Sequence, residues 1–87
     1  MIHTLKGVAE TREVWLDGQY LDPEPSQKYH NHSPNGYNWG YGGSGCAQLA
    51  LAIMLKLTGN ATGYQHFKWN VIASIPQNKD FEIEFKL

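Results

Sequence analysis

Between Ala47 and Leu57 only Gln48 and Lys56 are polar, and every other residue is Ala, Leu, Ile or Met. These side chains lose little or modest conformational freedom in a helix. A helix with one face in water would show a polar stripe every third or fourth residue. This stretch has none, so it reads as a helix that must be covered on all sides. About a dozen residues is too short to span a bilayer, which takes roughly 20, so a core helix is expected and no membrane partner. Ala47, Ala50 and Ala52 allow a sheet or second helix to approach closely. Ser44 or Gly45 is expected as N-cap; with Gly45 in that role, Gln48 stands three residues on, where its amide can return to an unpaired backbone N–H. Gly59, after Thr58, supplies the left-handed residue that closes a helix.

The rest of the chain is read as what covers that helix. Residues 1–9 show no clear period and read as a lead-in or a short first strand. Val14 and Leu16 alternate with Glu13 and Trp15, Asp17-Gly18 is a type I′ turn signal, and Gln19-Tyr20-Leu21 resumes, predicting a β-hairpin. Asp22 to Ser26 holds two prolines, which remove ladder donors, and reads as a loop. Lys28 to His32 reads as extended; Ser33-Pro34-Asn35-Gly36 is a turn, and with Tyr37-Asn38-Trp39 this suggests a second hairpin. After Gly59 to Thr62, the residues Tyr64, Phe67, Val71, Ile72 and Ile75 recur on one helical face, predicting a second, amphipathic helix that Pro76 ends. Trp69 falls off that stripe. Phe81 to Leu87 alternates apolar and charged residues without error and reads as a strand returning to the N-terminal hairpin. The expected fold class is α+β: a small antiparallel sheet packed on the buried central helix, with the second helix beside it, in one domain over residues 1–87.

Composition narrows function. The chain has 87 residues, a net charge of −1 and one cysteine. No disulfide is available, and the first ten residues carry no signal-like apolar run, so a cytoplasmic setting is expected. Lys, Arg, Asp and Glu read as interspersed, without the basic stripe of a phosphate-backbone binder, so direct nucleic-acid binding is not expected.

The run Asn38-Trp39-Gly40-Tyr41-Gly42-Gly43-Ser44-Gly45-Cys46-Ala47-Gln48-Leu49-Ala50-Leu51-Ala52-Ile53 resembles the signature W-G-Y-G-G-S-G-P-A-Q-L-A-L-A-I-L of a domain-of-unknown-function family of short bacterial, archaeal and phage proteins. The likeness extends to Tyr64-Gln65-His66-Phe67-Lys68, to the Ile72–Pro76 segment and to the closing strand. It brings no established activity. Where the family pattern has proline, this chain has Cys46, and proline suits the first helical position, where the N–H is unpaired. A nucleophile would not be replaceable by proline, so the resemblance argues against a catalytic cysteine.

Four groups of candidate residues follow. Gly42, Gly43, Ser44 and Gly45 could turn backbone N–H groups to an anion at the helix N-terminus, or serve only as a tight turn under Trp39 and Tyr41. The spacing matches neither G-x-G-x-x-G nor a Walker loop. Gly43 is expected at positive φ. Cys46 could pair with His30, His32 or His66 as a thiol nucleophile, although no third group at familiar spacing orients a base. His30 and His32 lie two apart but lack a third ligand of familiar spacing, so no metal and no cofactor is expected. Tyr37, Trp39, Tyr41 and Trp69 are the candidate binding aromatics. The leading expectation is a non-catalytic protein-interaction module. Its concrete form, from the company the family keeps, is a phage or mobile-element inhibitor of a host defence protein, such as an anti-CRISPR protein. The alternatives are a small-ligand or nucleotide-binding domain using the glycine loop, and a thiol enzyme using Cys46.

Overall fold

A computed structural model describes all residues from Met1 to Leu87. It is a two-layer α+β fold, with a four-stranded antiparallel sheet on one side and the helices on the other. The strands are β1 (Ile2–Val8), β2 (Glu13–Leu16), β3 (Gln19–Tyr20) and β4 (Phe81–Lys86), in the order β3-β2-β1-β4. The helices are α1 (Glu24–Tyr29), α2 (Ser44–Thr58) and α3 (Tyr64–Asn70), followed by a 3-10 turn over Ile72–Ser74.

The predicted hairpin is present, and Asp17 and Gly18 both take positive φ, 52° and 82°. Asp17 does more than turn the chain. Its carboxylate accepts from His3 Nδ1 (2.8 Å) and from the Thr4 N–H (2.9 Å), fastening the turn to β1. These bonds hold its carboxyl below the usual carboxylate range. Of the two readings of residues 1–9 the first strand is the one observed, an inner strand paired with β2 from Leu5↔Leu16 to Val8↔Glu13 and with β4 from Ile2↔Lys86 to Gly7↔Phe81. Its period is masked because the inward face includes His3 and Gly7 while Ile2 and Val8 point outward. The closing strand therefore pairs with β1 and does not touch the hairpin directly.

Two further expectations are corrected. The Asp22–Ser26 loop is largely the start of α1: Pro23 is its N-cap and Pro25 lies in its first turn. A first-turn proline lacks only an N–H that would have no helical partner, so two prolines that exclude a strand admit a helix. The second hairpin is absent. Lys28 and Tyr29 belong to α1, and residues 30–43 form no regular structure, although the turn after Ser33 closes with the Gly36 N–H on Ser33 O at 3.2 Å.

What replaces cross-strand bonds in that segment is Gln48. Helix α2 starts at Ser44 with Gly43 as N-cap, which places Gln48 one turn inside the helix and beyond capping reach. Its side chain is fully buried. Oε1 accepts from the N–H groups of His32 (2.8 Å) and Ser33 (3.0 Å). Nε2 donates to Ser26 Oγ (2.8 Å) and to His30 O (3.2 Å). An amide has two acceptor sites and two donors, and all four are used. One side chain thus ties α1 and the irregular segment to α2.

Burial of α2 is continuous from Gly45 to Ile53, because the sheet, α1 with the irregular segment, and α3 enclose it. The last turn emerges at Lys56, and Gly59 caps it in the left-handed region as expected. The core joins Leu5, Val14, Leu16, Phe81 and Phe85 of the sheet to Leu49, Ile53, Phe67 and Ile72. Helix α3 is shorter than predicted and breaks at Val71. Asn70, Val71 and Ile72 are weak helix formers, and Ile72 O accepts both the Ile75 N–H of the 3-10 turn (3.3 Å) and the Gly40 N–H (3.0 Å).

Replacing Gln48 by Leu keeps the volume and removes four hydrogen bonds; the Ser33 N–H loses its acceptor, while Ser26 Oγ keeps Pro23 O and the His32 N–H keeps His30 O. At about 0.5–1.5 kcal/mol for each hydrogen bond, the loss should reach about 3 kcal/mol, lowering the melting temperature by about 12 °C. Calorimetry of Gln48→Leu checks this; a melting point near wild type would show that the amide is dispensable.

Candidate functional site

The run from Trp39 to Gly45 descends from the core to the surface at the N-terminal end of α2. Trp39 is 0 % exposed, edge-on to Phe81 at 4.8 Å, with the Arg12 guanidinium 4.7 Å from its ring centroid. Arg12 is fixed in turn by donating to Gln77 O at 2.7 Å. Tyr37 is 6 % exposed. Burial pushes its hydroxyl far above the ordinary tyrosine range, and no hydrogen bond of good geometry forms to it. Tyr37 and Trp39, both candidate binding aromatics, are therefore core residues that a partner cannot touch. Chains short of aliphatic bulk fill their cores with aromatic rings, and the sequence pattern does not separate the two uses.

Tyr41 and Trp69 are different. They are 40 % and 61 % exposed and lie on the same glycine turn. A Cβ at Gly42 would stand 2.1 Å from the Trp69 indole, and one at Gly43 would stand 2.1 Å from the Tyr41 ring. Both rings pack against bare backbone. Gly43 is extended (φ −86°, ψ −172°), so packing and not a positive φ requires glycine there. The positive-φ residue of the turn is Gly40 (φ 86°), where a Cβ would also strike the Gln77 backbone at 2.5 Å. Below the rings lies Lys68, 7 % exposed, its Nζ donating to Gly42 O at 3.2 Å and set 4.5 Å from the Trp69 ring centroid. The turn, Tyr41, Lys68 and Trp69 thus form one patch. Sequence reading found all of it except Lys68, whose place on the buried side of α3 no periodicity marks.

The anion-site candidates Gly42, Gly43, Ser44 and Gly45 are present at the helix N-terminus, beside the buried Cys46 thiol. Burial raises the thiol pKa, and the neighbouring backbone of Tyr41 and Gly43 opposes the shift. Cys46 is the third helical residue, and the first helical N–H to find an acceptor is that of Ala47, on Gly43 O at 3.1 Å. Position 46 accordingly needs no N–H, which is the condition under which the related pattern's proline fits.

None of the histidines hydrogen-bonds the thiol. His30 and His32 stack at 4.1 Å, His32 Nε2 shares a hydrogen bond with the Tyr64 hydroxyl (2.8 Å), and His66 is bonded to Asn70. No three His, Cys, Asp or Glu side chains converge. A second concavity, of about 350 Å³, lies on the outer face of the sheet between Lys6, Trp15 and Glu82. No helix is long and apolar enough to cross a membrane.

Burial, His30 and Lys68 together lower the His32 pKa from its ordinary value near 6.5. The unfolded chain then binds the proton more readily than the fold, so stability rises with pH up to about 6.5 and is lost as pH falls below it. Thermal melts of wild type and His32→Phe between pH 8 and pH 5 should run parallel above about 6.5 and diverge below, the wild type falling more steeply. Equal slopes throughout would contradict this.

A family model described as a family of unknown function (DUF6166) matches residues 3–86. No curated protein and no solved structure matches the chain.

Proposed function

The chain belongs to the family of that model, whose function is unknown, and we propose that it is a non-catalytic protein-interaction module that binds through the Tyr41–Trp69 patch. The observation that supports this reading is the bracing of Trp69: a largely exposed indole held against the Gly42 backbone. Tryptophan is the commonest kind of binding anchor, and a ring already fixed in place loses little freedom on association. Tyr41 on Gly43 extends the same platform. The partner is a host protein, and inhibition of a host defence protein is the concrete form of this reading.

Affinity capture from a host lysate with mass spectrometry supplies the partner, and Trp69→Ala then tests the surface. Truncating an anchor costs about 2 kcal/mol or more, so binding should weaken by about 30-fold while the melting temperature stays within a few degrees. Unchanged affinity in the folded variant would remove this patch from the interface.

A further inference from the structure

Charge is not interspersed over the fold. All eight Asp and Glu residues lie at or before Glu24 or at or after Asp80, and the stretch from Pro25 to Lys79 contains four lysines and no carboxylate. That stretch is most of α1, all of α2 and α3, and the irregular segment with its glycine turn, which together form the layer covering the sheet. The helical layer keeps one carboxylate, Glu24 at the start of α1, and the other seven lie in the sheet layer and its margins. The molecule is therefore polarised, with no carboxylate on α2, on α3 or on the glycine turn that carries Tyr41.

Within that layer Lys28 has its counter-charge in Glu24, at 3.4 Å. Lys68 has none: it takes part in neither ion pair of the structure, and its buried ammonium meets only a carbonyl and the indole face. A buried charge without a partner is costly, and the nearby N-terminal end of α2 adds potential of the same sign. The site has positive potential, exposed aromatic surface and no acidic group of its own.

Resting on the interaction reading above, we propose that this patch takes an acidic segment of the partner protein, the segment seated on Trp69 and Tyr41 with a carboxylate at the rim of that platform, drawn by the Lys68 ammonium beneath it. A polynucleotide fits less well, because it needs cations at successive phosphates. Here Lys56 stands in the last turn of α2 and Lys79 just before β4, leaving one ammonium at the patch.

The test is an NMR titration of the labelled full chain with three probes: a glutamate-rich peptide, a lysine-rich peptide of equal length, and oligothymidylate. The glutamate-rich peptide should shift the amides of Tyr41, Gly42 and Lys68 and the indole N–H of Trp69, and the lysine-rich peptide should not. Lys68→Met removes the charge and keeps the packing, so it should fold at least as stably while binding the glutamate-rich peptide about tenfold more weakly, the scale of one charge pair roughly 10 Å apart at an effective dielectric of about 20. Lys68→Gln provides a second charge-free variant. Equal shifts from both peptides, no shift at the patch, or wild-type affinity in a folded Lys68 variant would overturn the proposal, as would tighter binding of oligothymidylate at the same residues. If Trp69→Ala weakens the captured partner while the glutamate-rich peptide leaves the patch unmoved, the acidic partner fails and the interaction surface stands.

Discussion

The buried Gln48 amide carries more of this structure than any apolar contact of similar size. Residues 30–43 have no ladder of their own, so their backbone groups must be satisfied from elsewhere. The side chain of Gln48 meets His32, Ser33 and His30, and through Ser26 it holds α1 as well. With that segment fixed, Tyr37 and Trp39 are delivered into the core, and Trp39 meets Phe81 of the sheet. A polar residue in the buried part of the helix thus helps determine where the two buried aromatic side chains of the loop go. Its burial is tolerable because no donor or acceptor of the amide is left over.

The same path continues to the surface. Once Trp39 is seated, the Gly40 N–H reaches Ile72 O and its α-carbon faces the Gln77 backbone, which joins the glycine turn to the end of α3. That junction sets Trp69 over Gly42 and leaves Lys68 beneath it. Rigidity of the patch is therefore inherited from the core. Gly42 and Gly43 serve ring-to-backbone contact.

How much of this was legible in the sequence depends on whether the signal is local. The central helix, its Gly59 stop, the Asp17-Gly18 hairpin and the alternating last strand each show their period or turn chemistry in adjacent residues, and each is where it was expected. Strand β1 was obscured because His3 and Gly7 face inward, a choice that makes sense only when Asp17 and the Phe81 ring are opposite them. The role of Gln48 was misread as a cap because its four partners lie 15 to 22 residues away. Among the four candidate aromatics, Trp69 was separable by its position off the apolar stripe of α3. Tyr37 and Trp39 lie in a segment without periodicity, where burial is decided by the rest of the fold.

Amide hydrogen exchange at Ser33 tests the central role of Gln48 most directly. Ser33 belongs to no helix or strand, and its N–H has Gln48 Oε1 as its partner. If that amide organises residues 30–43, Ser33 should exchange as slowly as the α2 core at Leu49 to Ile53, through opening of the whole fold. Exchange of Ser33 at the rate of an open loop, with α2 still protected, would show that the segment is held some other way.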